Sequence, residues 1–363
     1  MKKAALVTFH TPLSFGAQLQ AFALQEAIKE NHYHCSIINY EPPFSPSSIR
    51  VPLTRRLYSD VSSIFFHKRI RLQKNRFSEW REHHFEETEF IVSETQLKKI
   101  GEDFNVFVCG SDQIWRSPQR GYYFLDFTPD SARRVAYAPS FGNVGFDDHE
   151  KEMIRNYLRR FDFLSVREND GAAFVSQLLG QNIPAVIDPT LLWTSDFWRK
   201  YASDPLPKIP KHFVLLFSIQ DTIPCFEIAQ KVCAKLKLPL VVIDCALRLI
   251  WHPFLNNCFD TGPAEFLRLI ELADFVVTSS FHGTAFAVIY GKRFLTICRK
   301  QIQNVNSRIY SLADILKTKD RVICPGDEIP ETIFQEWDPS VTLRLADERR
   351  RSWDYLAESL KFA

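Results

Sequence analysis

The residues best placed for chemistry are Ser279-Ser280-Phe281-His282-Gly283-Thr284, between the apolar run Phe275–Thr278 and an apolar helix ending near Gly291. An imidazole at such a junction can move a proton. The backbone N–H groups of Ser280, Gly283 and Thr284 can meet an anion there. Other polar turns follow predicted strands, which is where open α/β sheets hold ligands. They are Gly16 with Gln18 and Gln20, then Gly110-Ser111-Asp112-Gln113, Ser140-Phe141-Gly142, Arg167-Glu168 and Asp188-Pro189-Thr190. Asp112 is the candidate base. Glu168 and Asp188 are further carboxylates, and each of the three reads equally as a cap or turn residue. Asp188 before Pro189 has the stronger look of a turn. An arginine directly after an apolar strand, as Arg167 is, faces an anion or a buried carboxylate. Lys292, Arg293, Arg299, Lys300 and Arg308 supply more positive charge downstream. His83-His84 lack a third ligand at metal spacing, so no metal site is expected.

These turns need strands and helices to hold them. The spacing predicts strands at Ala4–Phe9, Cys35–Tyr40, Phe104–Cys109, Arg133–Pro139 and Phe161–Val166, with helices at Ala17–Glu30 and Asn169–Leu179. The first helix carries Ala17, Ala21, Leu24 and Ile28 on one face. Asp204–Pro210 reads as a linker. Beyond it, strands are expected at His212–Ser218, Leu240–Asp244, Phe275–Thr278 and Phe294–Cys298. Helices are expected near Ile223–Leu236, at Pro263–Leu272 with Pro263 in a first-turn position, after Asn306, and at Leu343–Leu360. Alternating strands and helices in two blocks predict α/β architecture with two Rossmann-like domains facing across a cleft. We expect an N-terminal domain at 1–205, a C-terminal domain at 206–340, and a helix at 341–363 packing across the boundary.

The bulk properties agree. A chain of 363 residues is too long for one core. With 45% apolar and 24% charged residues and a net charge of +2, nothing points to nucleic acid. The eight cysteines form no close pair, several lie in apolar runs, and a reducing compartment is expected. No apolar run is long enough for a bilayer, so a cytoplasmic location is expected. The stretch 44–90 mixes Arg50, Arg55, Arg56, Lys68, Arg69, Arg71, Lys74, Arg76 and Arg81 with apolar residues. An ordinary helical excursion is the first reading of it. A basic face lying peripherally on an anionic inner membrane face is the second.

The segments GAQLQAFALQEAI, CGSDQIW, RRVAYAPSFG, SVRE, IDPTLL, ADFVVTSSFHGTAFAVIYGKRF and NSRIYSLADIL, taken together, resemble the polysaccharide pyruvyl transferase family from about residue 5 to about residue 316. The resemblance implies a GT-B-like fold and a transferase of exopolysaccharide or cell-wall biosynthesis. Such an enzyme moves a pyruvyl group from phosphoenolpyruvate to a sugar, usually as a cyclic ketal with release of phosphate. It implies that His282 is catalytic or binds the donor, and that Arg167 and Arg308 meet phosphate and carboxylate. Ser280, Gly283, Thr284 and Arg299 join them on the donor side. Gly16, Gln18, Gln20, Ser111, Gln113 and Ser140 are expected to line the cleft toward the acceptor. Many members carry Asn before the Gly-Ala pair, where this chain has Phe15. Phosphoenolpyruvate enters as a co-substrate with no separate cofactor, and the acceptor sugar sits on a nucleotide, a lipid carrier or a glycan. The rival readings are a GT-B glycosyltransferase using a nucleotide sugar and a non-catalytic binder of anionic glycans. The oligomeric state is not legible.

Overall fold

The computed structural model of the chain describes residues 2–40, 53–204, 209–219, 222–243, 256–258, 260–298 and 306–361, with the backbone alone at 53–67, 222 and 256–257. In chain order the first half contains β1 (Lys2–Val7), α1 (Phe15–Glu30), β2 (Tyr33–Ile37), α2 (Leu53–His84), α3 (Glu94–Gly101), β3 (Val106–Cys109) and β4 (Arg133–Ala136). There follow α4 (Asp148–Leu158), β5 (Phe163–Leu164), α5 (Asn169–Leu179), α6 (Pro189–Leu192) and α7 (Ser195–Arg199). The second half runs β6 (Val214–Phe217), α8 (Thr222–Leu236), β7 (Leu240–Ile243), β8 (Asn256–Cys258), α9 (Pro263–Leu272) and β9 (Phe275–Thr278). It ends with α10 (Phe281–Ile289), β10 (Arg293–Ile297), α11 (Ser307–Leu316), β11 (Val322–Ile323) and α12 (Pro339–Leu360).

The strands form two separate parallel sheets, ordered β2-β1-β3-β4-β5 and β11-β10-β9-β6-β7-β8. Helices cover both faces, so strands such as VFVC, VLLF and FVVT are buried throughout and read as unbroken apolar runs. The order reverses at β1/β3 in the first sheet and at β6/β9 in the second. A doubly wound sheet opens a crevice at such a point, beyond the carboxyl ends of its strands. Both crevices face the same space between the domains. The architecture is α/β with two Rossmann-like domains across a cleft, as in GT-B enzymes.

Two elements tie the halves together. The C-terminal half of α2 buries Phe77 and Trp80. Its Arg76 donates to Asp260 O at 2.6 Å and pairs with Glu265 of α9 at 3.3 Å. Arg81 donates to Glu87 Oε2 at 2.8 Å and Asn39 Oδ1 at 3.1 Å. These two cations of the basic stretch are therefore paired inside the protein. Residues 44–52 of that stretch, including Arg50, lie outside the described residues, and so do the side chains of Arg55 and Arg56. The other tie, α12, begins at Pro339, a turn earlier than the amphipathic pattern indicates. Arg344 Nε donates to Leu316 O at 2.8 Å in the second domain, whereas Tyr355 OH donates to Ala136 O at 3.0 Å in the first. Phe15 adds an apolar contact between the lobes. Its ring stacks on Phe266 at 4.7 Å and meets Phe217 edge-on at 5.5 Å. Among the described residues no helix is long and apolar enough to cross a membrane.

Candidate active site

The β9–α10 junction is held by its own polar side chains. Thr278 Oγ1 donates to Phe217 O at 2.7 Å and accepts from Ser280 N at 3.0 Å, linking the two switch-point strands. Ser280 caps α10, its hydroxyl accepting from Gly283 N at 3.4 Å. Thr284 Oγ1 lies 3.0 Å from Ser280 O and 2.8 Å from Thr296 Oγ1. A Cβ at Gly283 would come within 2.3 Å of Thr278 Oγ1, so only glycine lets the helix lie this close. The N–H groups of Ser280, Gly283 and Thr284 are thus taken up within the junction and not left for an anion, contrary to the expectation from sequence. What the junction presents is His282, in the first turn of α10. It reaches across to the first domain, where a Cβ on Gly16 would lie 2.0 Å from its Nδ1.

His282 Nε2 lies 3.6 Å from Asp188 Oδ2. Asp188 is buried at the start of α6, and its two oxygens divide their work. Oδ1 accepts from Thr190 N at 3.0 Å and Thr190 Oγ1 at 2.7 Å, which is the capping role its sequence suggests. Oδ2 lies 3.0 Å from Arg167 Nη2 and 3.2 Å from Ser111 Oγ, besides facing His282. Burial works to raise the Asp188 pKa. Arg167, His282 and Thr190 outweigh it and hold the carboxyl well below the usual carboxylate range. An ionised Asp188 therefore orients one cation and one imidazole.

The first domain supplies the platform. Gly110 has φ 131°, and a Cβ there would meet Tyr137 O at 1.9 Å, so the turn after β3 requires glycine. It delivers Ser111, whose hydroxyl accepts from Arg167 Nη2 at 2.6 Å and lies 2.9 Å from Ala138 O. Gln20 Oε1 accepts from Ser111 N at 3.0 Å, and its amide nitrogen lies within 3.0 Å of Thr8 Oγ1, Phe9 O and Ala17 O. Gln20 and Ser111 thus lock α1 to the ends of β1 and β3 beneath the cleft. Ser140 is also buried beneath it, accepting from Gly142 N at 3.1 Å. Gln18 is buried with Oε1 unpartnered.

A cleft of about 560 Å³ opens between the domains. Gln113, Arg116 and Gly142 line it from one side, and Ser279, Phe281 and Arg308 from the other. The Phe281 ring lies 5.1 Å from Arg167 Cζ and 5.9 Å from Arg308 Cζ, joining the cleft wall to the buried layer. Asp112 has φ 60° and accepts from Gln113 N at 2.8 Å through Oδ1, which is turn geometry. The same oxygen lies 3.9 Å from Arg308 Nη1. Arg299 and Lys300 lie outside the described residues. Arg293 opens β10 at the end remote from the cleft and donates to Phe334 O.

Several buried atoms of this layer have no hydrogen-bond partner in the protein: Arg167 Nε and Nη1, Arg308 Nε, His282 Nε2 and Glu168 Oε1. Unmet buried donors cost about 1–3 kcal/mol each. These atoms cluster beside the cleft. Burial, and then the charge of Arg167, lower the Arg308 pKa, so an arriving anion would relieve both cations. Asp188 and Glu168 are the residues whose part here the sequence did not disclose. Asp188 reads as a turn because half of it is one, and Glu168 sits at a cap position without capping.

The model of the family described as polysaccharide pyruvyl transferase matches residues 15–297. No curated protein matches the chain. Among solved structures, a putative UDP-N-acetylglucosamine 2-epimerase from Listeria monocytogenes is 11% identical, with 99% of this chain and 91% of that one covered and a TM-score of 0.51. A UDP-GlcNAc 2-epimerase from Methanocaldococcus jannaschii, solved with UDP-GlcNAc and UDP, is 12% identical over 96% and 94% of the chains at a TM-score of 0.49. The glycosyltransferase SnogD from Streptomyces nogalater is 12% identical over 99% of each chain at 0.47. At 11% identity, the likeness to the Listeria structure is one of fold alone. The family match spans most of the chain and both halves of the site, from Gly16 to His282. The chain is a transferase and belongs to the polysaccharide pyruvyl transferase family.

Proposed function

We propose that the protein transfers the pyruvyl group of phosphoenolpyruvate to a sugar of a cell-surface polysaccharide or its precursor, closing a cyclic ketal and releasing phosphate. The observation that carries this reading is the cluster of buried Arg167 and Arg308 nitrogens without a hydrogen-bond partner beside the cleft. Phosphoenolpyruvate joins a phosphate and a carboxylate on one small frame, and two guanidiniums suit that pair. The Asp188–His282 pair fits a base for a sugar hydroxyl, with Asp188 stabilising the imidazolium that forms. The acceptor, carried on a nucleotide, a lipid or a glycan, would enter from the side of Gln113 and Asp112. No separate cofactor is invoked.

His282→Ala tests the assignment. Phosphate release from phosphoenolpyruvate with a screened sugar acceptor should fall by about 10²–10⁴-fold, with donor binding retained in calorimetry. Unchanged turnover would remove His282 from the chemistry. A wild-type protein that releases UDP from a UDP-sugar and ignores phosphoenolpyruvate would establish the glycosyltransferase alternative instead. Arg167→Lys should weaken phosphoenolpyruvate binding by tenfold or more, because lysine cannot contact Asp188, Ser111 and an anion with one planar fork. Donor affinity equal to wild type would confine Arg167 to holding Asp188.

A further inference from the structure

Glu168 stands at the N-cap position of α5, yet its side chain makes no capping bond. It is turned inward, 1% exposed, with Oε1 lacking any hydrogen-bond partner. A carboxylate at a helix start has a ready use in capping, so its withdrawal from that use calls for another. The groups that face it are Arg167 from its own loop, Arg308 from α11, Asp170 from α5 and the Ser140 hydroxyl from the turn after β4. Asn169 N donates to Ser311 Oγ of α11 at 3.2 Å, which pins this corner of the first domain to the helix that carries Arg308. Glu168 is therefore held where the two arginines expected to take the donor converge.

We propose that Glu168 is the acid that protonates C3 of the enolpyruvyl group. The proposal rests on the reading of phosphoenolpyruvate as donor. The C2=C3 π pair takes the proton from Glu168, forming a C3–H bond and leaving a carboxylate and an electrophilic C2. A sugar hydroxyl oxygen bonds to C2, and its proton passes to His282. The C2–O bond to phosphorus then breaks, and phosphate leaves with the proton from His282. The second hydroxyl bonds to C2 to close the ketal, and its proton returns to Glu168. Both side chains end as they began. Burial, opposed by Arg167, Ser140 and Arg308, lifts the Glu168 pKa from 4.5 to about 7, so a protonated fraction exists at neutral pH. A bound trianion would lift it further.

The test needs no acceptor. Phosphoenolpyruvate binding is measured by calorimetry near pH 8 in buffers of different ionisation enthalpy, which reports protons taken up on binding. Wild type is expected to take up most of one proton per ligand. Glu168→Gln, shaped like the neutral acid, should bind within a few-fold of wild type with that uptake lost, whereas His282→Gln should keep it. Uptake that survives in Glu168→Gln, or that is absent in the wild type, overturns the proposal. Failure of wild type to bind phosphoenolpyruvate at all defeats the donor reading instead. With a working acceptor, Glu168→Gln should lower kcat at least a hundredfold with KM for phosphoenolpyruvate little changed, and a kcat near wild type overturns the assignment. If Glu168→Gln does not fold, the His282→Gln measurement decides: uptake kept there supports the proposal, and uptake lost there overturns it.

Discussion

Asp188→Asn is expected to lower turnover by three to four orders of magnitude, about the loss seen when an Asp–His pair elsewhere is given an asparagine. The substitution keeps the size and the Thr190 cap but removes the charge that Oδ2 holds against Arg167 and His282. The imidazolium loses its counter-charge, and Arg167 is left buried with the Ser111 hydroxyl as its remaining hydrogen-bond partner. Breaking a buried pair from one side costs about 3–5 kcal/mol, so the melting temperature should fall as well. The acid response separates the two effects. Because the folded pKa of Asp188 is depressed, its contribution is complete above the ordinary value of about 3.9. It is lost as pH falls from there toward the folded value. Wild type and Asp188→Asn should therefore differ most in stability at neutral pH and converge in strong acid. Glu168 runs the other way: its raised pKa gives a contribution complete below about 4.5 and lost as pH rises through about 7. Near-normal turnover in Asp188→Asn would show that the pair with His282 is structural only.

How far this site can be read from sequence depends on the range of the interactions that set each part. The β9–α10 junction is local. Three apolar residues before Thr278, a Ser cap and Gly283 fix it, and both strand and helix lie where the pattern puts them. Pro263 likewise opens α9 as a first-turn proline should. Asp188 and Glu168 are set by tertiary packing. Oδ2 of Asp188 meets Arg167 where α6 docks, and inward-turned Glu168 adjoins Asn169, which is bound to Ser311 from the other domain. No local spacing encodes either. The strands β8 and β11 have three and two residues, too short to show a period. The helix α4 did leave a signal, the capping box Asp147…Glu150, in a stretch otherwise too polar to stand out. Nearness in sequence groups Lys292 and Arg293 with the cations downstream of His282. Strand direction separates them, since β10 starts at Arg293, at the end of the sheet opposite the carboxyl ends of the strands.

Gly16→Ala should remove nearly as much activity as deleting the histidine, about 10²–10⁴-fold, although Gly16 carries no functional group. Taken as a helix residue alone, alanine is better by about 0.8–1.0 kcal/mol. The packing reverses that sign. An added Cβ would lie 2.0 Å from His282 Nδ1, 2.5 Å from Cε1 and 2.6 Å from Cγ, so the clash involves the whole ring edge. Either the ring leaves Asp188 or the two lobes part at this contact. Overpacking of this kind costs about 1–3 kcal/mol. The double variant separates geometry from chemistry. In Gly16→Ala/His282→Ala the ring is gone and the methyl group has room. The stability cost of Gly16→Ala should then vanish or turn into a gain, and turnover should match His282→Ala alone. Melting temperatures and phosphate-release rates of the four proteins complete the cycle. Additive losses in both quantities would mean that Gly16 and His282 act independently, and that the close approach of the lobes is not what positions the imidazole.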